Sequence, residues 1–444
     1  MKNIKSERGQ ALIIFALAAI ALFGIVGLAI DGSAKFSDRR HAQNAADSAA
    51  LAGALAIVND KTADVLDADG NVIGIEWKLD GLDRALENGY DDNHVTNDVW
   101  VYRCDDIDPG SPVDCGPYNG NSDYVQAVIK SHVNTYFARV LGIHETVNTV
   151  HAVTYSKKRG PLYDGNLIVA LNPNPCSGGN GNVQLGGSST VTLTGGGAFV
   201  NSGGSGCGME HGGSCPTIDG GSIGSPGDGN INLDGCADVP APSTNQPPYP
   251  FPPEMPEEPD ECDVSNPGSF SSNSGTLTTT LSPGRFNEFP PKSGGGVTVY
   301  DNMVMNPGIY CVNDMVKLSD QHLILTGHDV TIFIRAGYDI DIQGGTITLD
   351  ASDTGPYAGY LMIIDSDFTG TVPDCHLNGA SSNTYIGTIF APYCDLIVNG
   401  GNDLTSYTSQ FIAYTVAILG NAETQLHYDM NNSAQNQPKI GLMR

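Results

Sequence analysis

The sequence predicts a mixed fold, with a long N-terminal transmembrane helix, a small α+β domain and then a mainly-β parallel β-helix, or solenoid. Three observations predict this fold. Residues 11–30 are twenty residues without a charge, which is about the length that crosses a hydrocarbon core as one helix. Residues 59–160 mix helical and strand patterns. From residue 161 onward, short β runs alternate with glycine, serine and asparagine turns, a pattern typical of sandwiches, barrels and solenoids.

The apolar run predicts a single membrane crossing. Lys2, Lys5 and Arg8 precede it, and positive charges favour the cytoplasmic side of a membrane. We therefore expect the N-terminus inside and the C-terminal domain outside the cytoplasmic membrane or at the cell surface. A cleaved secretory signal with processing at residues 32–34 is the alternative, although the apolar run exceeds the ~7–15 residues of a usual signal core.

Residues 31–58 predict an alanine-rich extension of the helix. Ala42, Ala46, Ala49 and Gly53 recur at helical spacing, which leaves one face small and smooth. Two interpretations remain open. The face allows another helix to approach closely, as in self-association of the chain, or it packs on the chain's own ectodomain.

Three motifs carry a resemblance to a known family. The segments RGQAL (8–12), GLAID (27–31) and QNAADSAALAGA (43–54) resemble the N-terminus of TadG-like proteins of the Tad (tight-adherence, Flp pilus) systems of bacteria. Residues 138–155 are similar to the segment that often closes the first ectodomain of such proteins. The resemblance implies envelope anchoring, pilus or envelope assembly components as partners, and no catalysis. The anchor and helix-packing residues that it implies are Gly9, Gly27, Asp31, Gln43, Ala46, Asp47, Ala49 and Gly53.

The chain departs from the family pattern in two places. Prepilin-type processing usually requires a glutamate five residues after the cleavage glycine, and Ile14 stands there if Gly9 is that glycine. Many TadG-like proteins also carry a von Willebrand A domain with an Asp-x-Ser-x-Ser metal motif. Residues 350–354 (DASDT) lack the second serine, so we do not expect that adhesion metal site.

The charge distribution excludes nucleic acid as a partner. The net charge is −28, and four basic residues remain between Asp164 and Gln437, whereas nucleic-acid binding needs a basic face. Acidity of this kind favours solubility and the binding of divalent cations. We expect no cofactor; the alternative is calcium, for which the candidate ligands are Asp350, Asp353, Asp365 and Asp367.

The ten cysteines all follow residue 100, and an even number in an extracytoplasmic segment predicts disulfides. Sequence alone does not fix their pairing. By loop length, the local pairs that cost least to close are Cys104–Cys115, Cys207–Cys215, Cys236–Cys262 and Cys375–Cys394.

The β half of the chain favours a solenoid because its runs are too short for sandwich strands and several come in pairs separated by a turn. It also resembles the β-helical domains that follow TadG-like and PilX-like anchors, through phrases such as residues 306–312 (NPGIYCV) and 409–420 (SQFIAYTVAILG). A proline-rich acidic insertion interrupts it. We interpret this insertion as an extended surface segment, with a polyproline ligand for a partner as the alternative.

Many parallel β-helices act on polysaccharides, so an enzyme is the alternative class. Arg335 with Asp339 and Asp341 is the candidate lyase cluster, and Asp365 with Asp367 is the candidate hydrolase pair. Solvated acidic side chains at strand ends are the simpler explanation for both. Several late tyrosines could contact a surface glycan or pack in the core; they are Tyr357, Tyr360, Tyr385, Tyr393, Tyr407 and Tyr414.

The sequence therefore predicts a membrane-anchored bacterial surface protein with a structural or adhesive role in a Tad/Flp-like apparatus, and not an enzyme. The alternative is a membrane-tethered polysaccharide-active β-helix. The expected parts are a cytoplasmic stub (1–10), a transmembrane helix (11–30), the helix extension (31–58), the α+β domain (59–160), the first solenoid part (161–237), the proline-rich insertion (238–295), the second solenoid part (296–434) and a tail (435–444).

Overall fold

The computed structural model describes residues 8–174, 182–187, 190–203, 208–227, 231–293, 298–335, 337–365, 372–378, 383–400, 405–420 and 423–443. The chain forms two compact units. The first is Met1–Gly160 with Gln437–Arg444, and the second is Pro161–Asn436. A change from mixed α and β structure to β structure accompanies this boundary.

The elements of the described chain follow in order. Up to residue 161 they are α1 (Arg8–Val58), β1 (Asp64–Leu66), β2 (Val72–Ile75), α2 (Glu76–Glu87), β3 (Asn97–Arg103), β4 (Tyr124–Asn134), β5 (Glu145–Lys157) and β6 (Gly160–Pro161). Then come β7 (Ile168–Ala170), β8 (Val183–Leu185), β9 (Val191–Thr194), β10 (Ala198–Val200), β11 (Met209–His211), β12 (Thr217–Asp219), β13 (Ile223–Gly224) and β14 (Ile231–Asn232). The next group is β15 (Ser269–Asn273), β16 (Thr278–Ser282), β17 (Gly284–Phe286), β18 (Asn302–Met305), β19 (Gly308–Val312), β20 (Val316–Leu318), β21 (Ile324–Gly327), β22 (Val330–Ile334), β23 (Ile340–Ile342) and β24 (Thr346–Asp350). The last are β25 (Tyr360–Ile364), β26 (Asp374–Asn378), β27 (Thr384–Gly400), β28 (Thr405–Gly420), β29 (Thr424–His427), β30 (Gln435–Asn436) and β31 (Lys439–Met443).

Helix α1 is continuous over 51 residues, but its two halves have different surroundings. In the N-terminal half the large apolar side chains are exposed; Phe15 and Phe23, for example, are 77% and 70% exposed. In the C-terminal half, Ala46 and Ala49 are fully buried. Of the described helices, α1 alone has the length and apolar composition that a membrane crossing requires.

The C-terminal half of α1 packs on an antiparallel sheet with the order β3-β4-β5-β31. Together with α2 it covers one face of this sheet, and the alanine side chains lie against a set of small and branched residues. That set is Val99, Val101, Val125, Ala127, Ile129, Val150 and Ala152. The absence of bulky side chains on this face of α1 allows the helix to lie close to the sheet.

Two further features of the first unit concern the ends of its strands. Residues 135–141 carry a helical pattern, but only a 3-10 turn at Ala138–Leu141 forms, and Gly142 ends it in the left-handed conformation (φ 85°). Residues 435–444 were expected to be a tail, but β31 pairs with β5 from Lys439 to Met443. Strand β31 supplies hydrogen-bond partners to an edge that β5 would otherwise leave open.

The second unit is built on one sheet, to which 23 strands of the described chain belong. Strands pair in parallel with strands of a later segment, so that Met303 lies beside Leu325 and Leu325 beside Ile347. Within the described part of this sheet, the one antiparallel pairing of strands is β15 with β16. Because β16 and β17 belong to the sheet, β structure resumes within the predicted insertion and not at residue 296.

The order of the layers differs from the order of the chain. Strand β28 pairs on one side with β27 and on the other with β7 and β8. The layers therefore run β16–β17, β18–β20, β21–β23, β24–β26, β27, β28, then β29 with β7 and β8, then β9–β11, and last β12–β14. The chain leaves the last layer after β14 and has to travel back along the whole stack to begin the first.

Alternate residues of one column of strands point to two different apolar clusters. Tyr310 and Ile332 belong to the main core, whereas their neighbours Cys311 and Phe333 belong to a second cluster. Register places one residue of this second cluster in each of six successive layers, and Phe199 continues the same register in the next layer. We call this set the outer row, and it consists of Cys311, Phe333, Ile363, Phe390, Ile412, Val169 and Phe199.

Candidate functional site

The exposed half of α1 ends at a loop of the first unit. This β4–β5 loop (residues 135–144) connects two strands of the sheet, and its backbone is bound by the carboxylate of Asp31 in α1. That carboxylate accepts hydrogen bonds from the backbone N–H groups of Tyr136 (2.8 Å), Phe137 (3.0 Å) and Ala138 (2.6 Å). These N–H groups lie where the 3-10 turn begins and have no partner within the turn, which is where a carboxylate stabilises a helical turn.

Gly27 lies one turn before Asp31 and contacts the same loop. A Cβ atom at this position would lie 2.7 Å from Cβ of Phe137, closer than two carbon atoms can approach without displacement. Gly27 and Asp31 of the predicted anchor set therefore lie together against one segment. Gly9 lies in the first turn of α1.

The remaining predicted anchor residues contact the unit's own sheet. The amide of Gln43 donates to Asp47 Oδ1 (2.8 Å) and to the carbonyl of His151 (3.0 Å) in β5. Ala46 and Ala49 belong to the buried cluster under α1. A Cβ atom at Gly53 would meet the Trp77 carbonyl at 3.4 Å. In this chain, the small face of the helix therefore packs on the sheet of its own folded unit.

A second connection between α1 and the sheet lies about two helical turns after Asp31. Asp38 Oδ2 accepts from the hydroxyl of Ser131 (2.5 Å) and from the amide of Asn148 (2.7 Å). Sequence analysis missed both Asp38 and this pair of partners. The one indication in the sequence is that Asp38 lies four residues before Ala42, on the alanine face of the helix. A carboxylate that is partly buried on such a face needs a polar partner.

Four disulfides are present in the described chain. Cys104–Cys115 and Cys375–Cys394 coincide with predicted local pairs. The predicted pairs Cys207–Cys215 and Cys236–Cys262 are wrong, because Cys215 bonds to Cys236 and Cys262 bonds to Cys311; Cys207 itself lies outside the described residues. Cys311 is distant in sequence but adjacent in the stack, and loop length alone carries no information about stacking.

The proline-rich connection lies on the outer row, and we call residues 246–262 the strap. Its first aromatic residue, Tyr249, packs against Phe199 with ring centroids 4.5 Å apart. Next, Phe251 packs between Tyr414 (5.6 Å) and Tyr393 (5.9 Å). Between Tyr249 and Phe251, the strap therefore passes from the layer of β10 to the layers of β28 and β27.

The far end of the strap is held by polar and covalent contacts. The hydroxyl of Tyr357 donates to the carbonyl of Glu257 (2.8 Å), and Glu258 forms an ion pair with Arg335 (3.0 Å). The disulfide from Cys262 then fixes the strap to the first residue of the outer row. The predicted extended surface segment is thus a fitted cover, which its prolines favour because they cannot donate ladder hydrogen bonds.

Burial changes the pKa of the phenol at the near end of the strap. Desolvation raises the pKa of Tyr249, and the hydrogen bond of its hydroxyl to Asp164 (2.7 Å) raises it further.

The backbone of Tyr249 is fixed by the buried side chain of Asn201, which accepts from its N–H (2.7 Å) and donates to its carbonyl (2.9 Å). These two hydrogen bonds align the strap with the stacked strands.

The candidate lyase residues have separate partners. Arg335 is paired with Glu258 of the strap, and Asp341 is paired with Lys317 across the β20–β23 register (3.2 Å). Asp339 has a buried oxygen without a hydrogen-bond partner, and burial, followed by the charge of Asp341, raises its pKa. No contact in the described chain joins the arginine to the two carboxylates.

The candidate calcium ligands likewise have other contacts or separate positions. Asp350 contacts the imidazole of His328 and accepts from the N–H of Asp329 (3.1 Å). Asp353 is exposed, Asp365 follows β25, and Asp367 of the hydrolase pair lies outside the described residues. The structure does not bring the described members of this set together.

Two other groups place potential metal ligands close together. His211 lies beside Cys215 and Cys236, but these cysteines are bonded to each other and offer no thiolate. Asp92, His94 and Asp98 form another group, in which His94 is exposed and the two aspartates are half-buried. Burial opposes ionisation of Asp98, but hydrogen bonds from His94 and Lys130 outweigh it and lower the pKa.

The late tyrosines divide between the core and the strap. Tyr385 and Tyr407 are fully buried in the main core and stack at 5.7 Å. The other four lie around the strap: Tyr357, Tyr360, Tyr393 and Tyr414. All six tyrosines therefore take part in packing within the second unit.

Comparison with known proteins finds a family match within α1. Residues 9–56 match the model of a family described as putative Flp pilus-assembly TadE/G-like. This match is confined to α1. No curated protein matches the chain significantly. Among solved structures, the competence-associated pilin ComZ from Thermus thermophilus is similar at 9% identity over 86% of each chain, with a TM-score of 0.19.

Proposed function

We propose that this chain is a membrane-anchored bacterial surface protein with a structural or adhesive role in a Tad/Flp-like pilus or envelope apparatus. One observation carries the proposal: the segment that matches the pilus-assembly family is a helix whose N-terminal half is apolar and exposed and whose C-terminal half is built into its own folded unit. An exposed apolar surface of this length requires a bilayer or another apolar partner. The partners proposed are the cytoplasmic membrane and the components of the pilus or envelope assembly.

In the proposed orientation, residues 11–30 cross the cytoplasmic membrane and both folded units lie outside it. The basic residues before the span support a cytoplasmic N-terminus. Disulfides in both units fit an oxidising compartment.

We further propose that the second unit is a β-helical ectodomain. The strands of successive layers in this unit pair in parallel, and they enclose the main core. The strap covers one column of these strands. Such a stack is rigid and extended along one axis, which suits display or adhesion away from the membrane. A surface glycan remains a proposed ligand class for this unit.

We propose no catalytic activity for the chain. The separate pairing of Arg335 and Asp341 supports this, because a lyase needs its base beside the acidic ligands. The alternative, a polysaccharide-active β-helix, is tested by replacing Arg335, Asp339 and Asp341 together. Loss of glycan cleavage with an intact fold establishes an enzyme, and absence of cleavage by the parent chain supports a structural role.

The anchoring role is tested by charging the span. Leu17→Asp with Leu22→Asp places two carboxylates in the exposed half of α1, and each costs about 2.5–3.5 kcal/mol at the centre of a membrane. We expect the parent chain to remain in the membrane pellet after alkaline carbonate extraction and the variant to be released. A matched control is Leu66→Asp with Val72→Asp, two exposed apolar residues outside the span; retention of the span variant in the pellet contradicts the proposal.

A further inference from the structure

The β4–β5 loop exposes more apolar surface than a connection in a folded unit normally does. Val140 is 88% exposed, Leu141 76% and Tyr136 73%, and Phe137 and Ile143 are about half exposed. The segment YFARVLGI contains a single charged residue. Contiguous exposed apolar side chains mark a surface that contacts something other than water.

The loop is held in a fixed shape in which these side chains point outward. The N–H of Thr135 donates to the carbonyl of His144 (3.1 Å) and closes the base of the loop. Within it, the N–H of Ile143 donates to Ala138 (3.2 Å) and that of Gly142 donates to Arg139 (3.0 Å). The exposure therefore belongs to an ordered turn.

The position of the loop along α1 identifies its partner. Asp31 binds its backbone and Gly27 contacts Phe137, and both lie where the exposed apolar half of α1 ends. The apolar side chains of the loop are thus at the level where residues 11–30 would leave a bilayer. A loop at this level meets the boundary between lipid headgroups and acyl chains.

We propose that the β4–β5 loop is a second membrane contact, which inserts Tyr136, Val140 and Leu141 into the outer interface of the bilayer that α1 crosses. This inference rests on the proposed membrane anchoring. Tyrosine is suited to the interface because its ring is apolar and its hydroxyl is polar. Arg139 can extend its charge to the phosphates while its methylene groups lie among apolar chains.

The hydrogen bonding of the loop suits the same environment. Backbone N–H groups that lose water must be satisfied within the protein. Asp31 satisfies those of residues 136–138, and carbonyl groups of the turn satisfy those of Val140, Gly142 and Ile143. Together with the anchor, the loop would fix the tilt and rotation of the first unit on the membrane.

The test uses the full chain reconstituted in vesicles of phosphatidylethanolamine and phosphatidylglycerol. Val140→Trp, and Leu141→Trp as a second position, report on the loop, while Ile20→Trp reports on the span. Val72→Trp is the matched exposed control in the β1–β2 hairpin, which follows the C-terminal end of α1; that end lies about 40 Å from Asp31 at 1.5 Å per helical residue. The parent chain, with its own two tryptophans, provides the baseline for quenching by lipids brominated at shallow or deep acyl positions.

The expected result is a blue-shifted emission at Val140→Trp and quenching by shallow bromines at least about threefold above the control, as for side chains that enter the acyl boundary. If Ile20→Trp is quenched but both loop variants behave like Val72→Trp, the membrane contact is overturned and the anchor stands. If Ile20→Trp is not quenched either, the anchoring proposal fails as well. A blue shift in detergent that grows with protein concentration and gives no lipid quenching assigns the loop to a second copy and overturns the lipid assignment.

Discussion

Cys262 at the end of the strap is disulfide-bonded to Cys311 in β19, 49 residues further along the chain. Cys311 is the first residue of the outer row, and the strap covers this row as far as Phe199. About six strand spacings of ~4.8 Å separate these two layers, or ~29 Å, and an extended strap from Tyr249 to Cys262 reaches ~40 Å. The strap is therefore long enough to return the chain to the layer of β19, next to the first layer, while it covers an apolar column.

Removal of this disulfide should destabilise the second unit. For Cys262→Ala with Cys311→Ala, the chain-entropy relation for a 49-residue loop gives a loss of about 4 kcal/mol from the free energy of unfolding. Hydrogen exchange measured segment by segment should show loss of protection in β19 and β22. Cys104→Ala with Cys115→Ala is the matched control, because that disulfide lies in the first unit and should leave β19 protected. Equal protection of β19 in both double variants contradicts the strap as a stabilising element.

Asn201 should align the strap through its two hydrogen bonds to Tyr249. Asn201→Ala leaves a backbone N–H and a carbonyl without partners, at a cost of about 2–3 kcal/mol. We expect faster cleavage of the strap in limited proteolysis, with the main core intact. Asn273→Ala, at the exposed β15–β16 turn, is the control and should leave strap cleavage unchanged. An unchanged cleavage rate in Asn201→Ala shows that the other contacts of the strap hold it without Asn201.

The sequence predicted the parts of the chain better than their arrangement. Uninterrupted apolar residues indicate a membrane-length helix, and short runs with glycine turns indicate stacked strands, because both patterns are local. The layer order is not local: β28 meets β7 through backbone hydrogen bonds, which any pair of strand sequences can form. The disulfide of Cys311 was missed for the same reason, since its partner is adjacent only after stacking.

Site residues follow the same division. The alanine face of α1 was visible from spacing, but its two interpretations could not be separated until the sheet residues opposite it were known. The role of Asp31 came from resemblance alone. Its contacts with the β4–β5 loop depend on the return of the chain to α1 more than a hundred residues later, for which the sequence carries no local pattern.

Asp395 should make the stability of the second unit depend on pH. Burial raises its pKa above the ordinary value of 3.8; the hydroxyl of Thr415 (2.6 Å) opposes this shift, and the charge of Asp374 adds to it. The folded state therefore binds the proton more tightly than the unfolded state, so stability falls as pH rises from 3.8 through the raised pKa. Asp395→Asn keeps an acceptor for Thr415 and should raise the melting temperature at pH 7 but not below pH 3.8. Asp353→Asn, at an exposed position, should do neither, and an equal effect of both variants contradicts the assignment.

Asp31 should hold the β4–β5 loop against α1. Asp31→Ala removes the acceptor of three backbone N–H groups, and their amide hydrogens should exchange about tenfold faster or more, as expected when charge-assisted hydrogen bonds are lost. Asp31→Asn retains one carbonyl acceptor and should give an intermediate rate. Asp64→Ala, an exposed residue of β1, should leave these amides unchanged. Unaltered exchange of residues 136–138 in Asp31→Ala shows that the loop is held by its own turn.

Gly27 and Gly24 form a matched pair for the contact between helix and loop. A Cβ atom at Gly27 would lie 2.7 Å from Phe137, whereas one at Gly24 would have nothing within 4 Å. Both alanine substitutions favour the helix by roughly 1 kcal/mol, so the difference between them isolates the contact. Gly27→Ala should displace Phe137 and increase hydrogen exchange in the β4–β5 loop, while Gly24→Ala should leave the loop unchanged. If both variants match the parent, Phe137 moves aside without loss and the close approach does not hold the loop in place.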